Sequence, residues 1–343
     1  MRIPSHADAF EVLLLQAADE GRGPVLFGDS LARARSVLRP FMVGESIPDV
    51  YLEFPLLGDP FLDVTVLYGE LKPGTRIDSP AADGTGAVLD WHADVRQSFS
   101  DVSFGFELDT KVPDVPTAAI HFQPRSHDEL VKPFCNVVGE PERADLYLGQ
   151  SARMPDGWPL SFFGMFRGRP GSPLRICGYM SADEQEACAG DSAHLAKAFD
   201  EIGFAAYDDA MLAQVAALLS CTPRGVDFQF DIYPDGSLGD TFAIDMQFGI
   251  EQPEAVLETF TSGVGARIMG TLEKWGAADE RWRLGAQAAF ARGIPVLKDD
   301  GTRGSYAFTI MPQWAKARWR AGVLQPAKLY HLAHAGLLNR KPK

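Results

Sequence analysis

Apolar residues recur at helical spacing from Ala7 to Ala18, and again from a cap at Asp29 or Ser30 through Leu38, where Pro40 stops the pattern. The period then changes from that of a helix to that of a strand. Val50 to Leu57 and Phe61 to Leu71 are β-rich runs, and Gly58-Asp59-Pro60 between them predicts a hairpin. After a short helical stretch around Ala93 to Phe99, a second pair follows as Val102 to Asp109 with Thr117 to Pro124, and Ser126 to Val138 reads as a helix. Asp145 to Arg153 fits an extra strand or an ordered loop. A third pair, Leu160 to Arg167 and Leu174 to Ser181, is joined by Arg169-Pro170-Gly171-Ser172, which supplies a fixed φ and a left-handed position. Asp183 to Leu219 is Ala-rich and predicts two helices broken near Gly203.

The fourth pair is the clearest, Val226 to Tyr233 and Thr241 to Phe248 around the turn 234–239. Phe228, Phe230, Ile232, Phe242, Ile244, Met246 and Phe248 fall on one face, while Asp227, Gln229, Asp231, Thr241, Asp245 and Gln247 fall on the other. Helical sequence resumes from Pro253 to about Arg292, in two pieces around Trp275-Gly276, and a fifth pair is expected between Ser305 to Met311 and Pro326 to Ala333. Hairpins separated by helices make a coarse repeat of roughly 50 to 75 residues. Ten antiparallel strands in an open sheet would leave two edges; closure removes them and lets helices cover the outside. The expectation is an α+β fold, a ten-stranded antiparallel β-barrel of five hairpins surrounded by α-helices, apolar outside and polar in a wet lumen. One domain spans 1–343, with N-terminal helices 6–39, hairpin and helix repeats 50–335 and a short basic tail 336–343.

Composition narrows the function. At 343 residues, with 46% apolar and 23% charged positions, the chain can bury a full core, which excludes disorder and fibrous repeats. A net charge of −14 argues against nucleic acid or anionic lipid as a partner and favours neutral or cationic ones. Val12 to Ala18, interrupted by Gln16, is far short of the roughly 20 residues that span a bilayer. Asp8 and Glu11 stand where a signal peptide would need a basic start, so a cytoplasmic protein is expected. Cys135, Cys177, Cys188 and Cys221 form no CxxC pair and suggest neither a zinc site nor a disulfide framework. There is no GxGxxG opening a helix, no Walker loop, no GxSxG and no HExxH.

The candidate chemistry lies on the polar barrel face. Glu107, Asp227, Asp231 and Asp245 could bind a cation, hold a metal or act as acid and base, because clustered carboxylates shift one another's pKa; at the barrel mouth they would instead be solvated or ion-paired. His121, between Ile120 and Phe122, points inward and could take a proton near neutral pH, or be a hydrogen-bonded structural histidine. His331 and His334 fall on opposite faces of a strand, which argues against a shared metal. Arg175 beside Cys177 and Tyr179, and Lys328 beside Tyr330, are anion-site candidates, with ion pairing as the alternative. Cys177 would be a nucleophile only if its thiolate were stabilised. Trp275, Trp282, Trp314 and Trp319 either stack on a substrate or pack helices onto the barrel.

Phe104-Gly105-Phe106-Glu107-Leu108 with Ile120-His121-Phe122-Gln123-Pro124 is similar to the second hairpin of enzymes of the dimethylallyltryptophan synthase type. Leu174-Arg175-Ile176-Cys177-Gly178-Tyr179 is similar to their third, and Lys328-Leu329-Tyr330 to a strand that lines their pocket. With the element order, the chain resembles the aromatic prenyltransferases. The resemblance implies the PT-barrel, or ABBA, fold and a transferase of secondary metabolism and natural product biosynthesis. Such an enzyme moves a prenyl group from an allylic diphosphate to an aromatic acceptor, an indole, a phenol or a peptide side chain. Inward Lys and Arg stabilise the leaving diphosphate, and Tyr rings shield the allylic cation.

The resemblance assigns Arg175, Tyr179, Lys328 and Tyr330 to the diphosphate shell, Glu53 or Glu107 to the acceptor, and His121 to its proton. Asp231 and Asp245 join the candidate catalytic set, and Asp227, Gln229 and Gln247 the candidate substrate contacts. No cofactor is required; Mg2+ on the carboxylates is the one metal the reading admits. The chain also departs from the pattern: Ala119 and His121 replace a Lys and Tyr of the second hairpin, Cys177 precedes Tyr179 in the third, and Ala243 precedes Asp245 in the fourth. Alternation then places Glu53, Asp63, Glu107, Asp227, Asp231 and Asp245 in the lumen against Arg175 and Lys328, a balance that repels diphosphate. The second expectation is therefore a repurposed barrel whose acidic lumen holds an amine, a guanidinium or a basic peptide, for Asp/Glu/His chemistry or for binding alone. Three or more bases at one depth would favour the first; Arg175 and Lys328 alone would favour the second.

Overall fold

The structure, a computed structural model, describes residues 6–19, 21–42, 49–68, 85–95, 101–108, 117–124, 128–223, 225–297 and 303–338. Its strands are β1 (Asp49–Pro55), β2 (Asp63–Tyr68), β3 (Asp101–Phe106), β4 (Ala119–Gln123), β5 (Leu160–Met165), β6 (Leu174–Met180), β7 (Val226–Ile232), β8 (Leu238–Gln247), β9 (Phe290–Leu297), β10 (Arg303–Arg320), β11 (Val323–Leu324) and β12 (Lys328–Leu338). Strands β1 to β8 pair in sequence order, β8 pairs β10, β10 pairs β12 and β12 returns to β1, which closes a ten-stranded antiparallel barrel. Strands β9 and β11 attach to β10.

Strand β10 serves two neighbours on one side: 303–310 pair with β9, and Trp314–Arg320 pair with β8. Its register against β12 shifts between Pro312 and Trp314, where proline has no N–H to donate to the ladder.

Helices α1 (His6–Ala17), α2 (Arg22–Leu26), α3 (Ser30–Leu38), α4 (Thr85–Val95), α5 (Val131–Val137), α6 (Glu142–Ser151), α7 (Ala182–Gly190), α8 (Ser192–Ile202), α9 (Asp209–Cys221), α10 (Ala255–Thr261), α11 (Val264–Lys274) and α12 (Arg281–Gln287) surround the barrel. Side-chain oxygens of Ser181, Asp191 and Asp208 cap α7, α8 and α9 by accepting backbone N–H bonds. Gly203, at φ 86°, ends α8 in the left-handed region. The outward face of the barrel and these helices share the apolar core. Phe122 stacks on Phe134 at 4.3 Å, Phe199 meets Phe242 at 4.8 Å, and Trp158 lies 4.9 Å from Phe228. Each fully buried Phe contributes about 1.5–3 kcal/mol relative to exposure.

Several local expectations change. Asp145 to Arg153 is mostly helix α6, with Leu146 and Leu148 packed against the core. Asp183 to Leu219 forms three helices because Asp191 ends α7 and caps α8. Pro253 to Arg292 contains α10, α11 and α12 and then turns into β9. The expected insertion Gln313 to Gly322 continues β10 through Arg320, and Gly336 to Leu338 belongs to β12 rather than to a tail. The expected ends at Leu71, Phe99 and Asp109, the start at Ser126 and the tail 339–343 lie outside the described residues. Among the described residues, no helix is long and apolar enough to cross a membrane.

Candidate active site

Alternation turns one side chain in two toward the lumen on every barrel strand. They enclose a cavity of about 330 Å3, lined among others by Tyr51, Glu53, Glu107, His121, Asp227, Gln229, Asp245, Gln247, Trp314, Lys316 and Tyr330. A smaller chamber of about 30 Å3 adjoins it, and Glu53, Arg169, Arg175, Gln229 and Lys316 line both. Asp231, Thr241, Arg318 and Lys328 complete the small chamber's polar wall.

Five bases therefore converge on one chamber: Arg169, Arg175, Lys316, Arg318 and Lys328. This corrects the expectation that Arg175 and Lys328 stand alone. Lys316 and Arg318 come from the part of β10 expected to be an insertion, and Arg169 reaches in from the β5–β6 turn.

Four of the five are paired. Arg169 grips Glu107 through Nε, 3.1 Å from both carboxylate oxygens, and through a further Nη2 bond. Arg175 donates from Nε and Nη2 to Asp231 at 2.9 and 3.2 Å. Lys328 bridges Glu53 at 2.5 Å and Asp63 at 3.0 Å. Lys316 donates to Gln229 at 3.1 Å and lies 3.5 Å from Asp245. Arg318 alone has no ion pair or side-chain hydrogen bond among the described residues. Burial, with Arg175 and Arg169 nearby, lowers its pKa below the usual arginine value.

The carboxylates divide accordingly. Burial pushes Glu53 up, but the charges of Lys328 and Lys316 and hydrogen bonds from Lys328 and Tyr330 hold it well below the usual range. Glu107 and Asp231 are likewise pulled down against burial, by Arg169 and Arg175 respectively. Asp63 moves up, because burial and Glu53 outweigh Lys328 and the Leu108 N–H. Asp227 and Asp245 face each other across the β7–β8 register. Gln247 donates to Asp227 at 3.2 Å, and Gln229 donates to Asp245 at 2.5 Å. Burial raises Asp227, and raises Asp245 to about 7, with Lys316 opposing and Asp227 and Glu53 adding.

The rest of the wall is aromatic. Trp314 stacks on Tyr330 at 4.9 Å, Tyr51 leans on Trp314 at 4.7 Å, and the Lys316 ammonium lies 4.8 Å from the Tyr330 ring centre. Across the lumen, Arg169 and Arg175 lie 3.9 and 4.6 Å from the centre of Phe166. His121 points inward as expected, with Gly164 and Gly105 making room for it. A Cβ at Gly164 would stand 2.5 Å from its Nδ1, and one at Gly105 3.1 Å from its Nε2. Burial first, then the charges of Arg175, Lys316 and Arg169, depress His121 to about 3, so the imidazole stays neutral at physiological pH.

Most other sequence candidates line these chambers, but Tyr179 does not. It lies 46% exposed, outside both sets of lining residues, opposite Asp227. Cys177 is buried, and burial raises its thiol well above the ordinary value, with Arg175 and Lys316 opposing, which disfavours the thiolate a nucleophile needs. Trp314 enters the lumen, whereas Trp282 and Trp319 are buried in the outer core. His331 is buried against Phe54 at 5.1 Å, and His334 is half-exposed beside Asp49, as opposite strand faces require.

No family model matches this chain, and no curated protein matches it either. Solved structures do. The 5-dimethylallyltryptophan synthase of Streptomyces coelicolor superposes with a TM-score of 0.55 at 12% identity, over 96% of this chain and 97% of that one. The apo form of the prenyltransferase PriB gives 0.51 at 12% identity, over 96% of each chain. The same synthase in complex with DMASPP and Trp gives 0.51 at 13%, over 99% and 98%. The chain has the prenyltransferase barrel fold. At such identity the likeness is one of architecture, so the PT-barrel accounts for the placement of the lumen, and the chemistry rests on the residues inside it.

Proposed function

We propose that the chain is an aromatic prenyltransferase, taking an allylic diphosphate at the basic chamber and an aromatic acceptor in the larger cavity. The observation that carries the reading is the convergence of Arg169, Arg175, Lys316, Arg318 and Lys328 on one chamber, with Arg318 in no direct ion pair among the described residues. A diphosphate would give it one. The solved neighbours point the same way: the synthase complex carries DMASPP and Trp, and a PriB complex carries product diphosphate.

In the proposed reaction the allylic C–O bond breaks, its electron pair leaves with the diphosphate, and an acceptor ring carbon bonds the allylic carbon. The displaced ring proton passes to Asp245, whose pKa of about 7 suits a base at neutral pH better than His121 at about 3. Glu53 stays ionised and serves as a fixed acceptor for an indole N–H or phenol O–H. The faces of Trp314 and Tyr330 stabilise the allylic cation. The bases, Arg318 foremost because it has no ion pair among the described residues, would meet the leaving diphosphate, and the reading requires no Mg2+.

The test is isothermal titration with dimethylallyl thiolodiphosphate, with and without Mg2+, followed by mass spectrometry of turnover on indole, phenol and aromatic peptide acceptors. Micromolar binding without Mg2+ and a prenylated product are expected; no binding at millimolar analogue under either condition overturns the reading. A second reading, a barrel that binds a cationic amine, is favoured by the facing Asp227 and Asp245 carboxylates. It predicts that arylalkylamines bind without diphosphate and that Asp227→Asn weakens them.

A further inference from the structure

Outside the barrel, α7 and α8 bring together three side chains that the lumen does not use. A carboxylate oxygen of Glu184, the sulfur of Cys188 and a ring nitrogen of His194 lie within 4.8 Å of one another. Glu184 and Cys188 are four residues apart on α7 and so share one face. His194 sits in the first turn of α8, which Asp191 folds back by capping the Ala193 N–H at 2.8 Å. The sequence spacing contains no CxxC or paired histidines, which is why it suggests no metal site.

The carboxylate is held in place by groups that would not themselves be ligands. Its Oε2 accepts the Trp158 indole N–H at 3.3 Å as well as the His194 contact at 2.9 Å. Ser181 Oγ accepts the Glu184 backbone N–H at 3.3 Å. Gly157, at φ 81°, presses on the same side chain, since a Cβ there would stand 2.3 Å from Glu184 Cγ. Supporting bonds of this kind are what orient a metal-binding carboxylate. A plain His194–Glu184 ion pair would use two of the three residues and leave the thiol without a role. Cys188 is fully buried, yet its sulfur faces a carboxylate and an imidazole and has no hydrogen bond among the described residues.

We propose that Glu184, Cys188 and His194 bind a zinc-class divalent cation, with a solvent molecule as fourth ligand, stapling α7 to α8. Sulfur with imidazole selects zinc over magnesium or calcium, and one carboxylate with a half-exposed histidine leaves the fourth position accessible. Binding releases the thiol proton to solvent as the sulfur–metal bond forms. The site is independent of the barrel chemistry.

The experiment is titration of the full-length protein with Co2+, followed by competition with Zn2+ and measurement of thermal midpoints. One equivalent should give a thiolate-to-cobalt charge-transfer band, which zinc abolishes, and zinc should raise the midpoint. Cys188→Ser, Glu184→Gln and His194→Ala should each weaken binding by about tenfold or more and lose the zinc-dependent rise. His194 is partly exposed, so His194→Ala should still fold and remains informative if the buried variant does not. Absence of the sulfur band, or zinc binding unchanged in His194→Ala, overturns the proposal and leaves an ordinary ion pair.

Discussion

Arg175 and Asp231 stand opposite each other in the β6–β7 register and close a two-point ion pair, at 2.9 and 3.2 Å, inside the barrel wall. Both are nearly buried, so the pair does two things at once: it keeps the guanidinium ionised and it competes with any anion for it. Asp231→Ala should therefore destabilise the protein by about 3–5 kcal/mol, because it leaves a buried charge without its partner. In the same variant, affinity for dimethylallyl thiolodiphosphate should rise, since Arg175 is released. Thermal melts with and without the analogue test both halves; a variant that loses stability and also binds the analogue more weakly would remove Arg175 from the anion site.

Arg318 makes the complementary case. Its guanidinium lies beside two others with no carboxylate of its own, so it is a destabilising charge unless an anion joins it. Arg318→Met should raise the thermal midpoint of the free protein while weakening the analogue by roughly ten- to a hundredfold, the range of one or more charge-assisted hydrogen bonds. A gain in midpoint with unchanged affinity would show that Arg318 faces no bound anion.

Why the sequence discloses one half of this lumen and hides the other is physical. Phe228, Phe230, Phe242 and Ile244 alternate with Asp227, Gln229 and Asp245, with Ala243 the one apolar residue on the inward face, so the residue pattern alone sorts the two faces of β7 and β8. Along 313–320 the alternation is just as regular, with Ala315, Ala317 and Trp319 outward. Large Trp residues on both faces and two small alanines blur its contrast, and that blur conceals Lys316 and Arg318. Arg169 is hidden for another reason: alternation says nothing of a turn, and its partner Glu107 is 62 residues away. Tyr179 shows the converse, since alternation gives the face of a residue but not its depth along the barrel axis.

The pH behaviour of Asp245 separates a base from a mere wall residue. If it takes the acceptor proton, prenyl transfer should climb with pH through about 7, and Asp245→Asn should abolish that limb. Stability runs the other way. The folded pKa lies above the ordinary carboxylate value of 3.8, so the contribution of this group is complete below that value and is lost as pH rises past about 7. The midpoint of Asp245→Asn should accordingly gain on that of the parent between pH 4 and pH 8. A constant difference over that range would mean that Asp245 titrates normally.

His331 offers a test that is independent of any substrate. Both of its ring nitrogens are buried without a hydrogen bond, edge-on to Phe54 in the apolar layer, and burial depresses the imidazole to about 3. An unpartnered buried polar group costs about 1–3 kcal/mol, so His331→Leu should stabilise the protein at pH 7.5, less whatever the change of shape costs in packing. Between the ordinary histidine value of 6.5 and about 3, the unfolded chain takes up a proton that the native ring does not. The contribution of the neutral ring is therefore present above 6.5 and is lost as pH falls toward 3. The advantage of His331→Leu should grow by about 2 kcal/mol between pH 7.5 and pH 5. His121, Asp63 and Asp245 also titrate as the solution is acidified, but they do so in both proteins and cancel in the difference. Urea midpoints at pH 7.5 and pH 5 measure it, and an advantage that does not grow with acid would place a hydrogen-bond partner on His331.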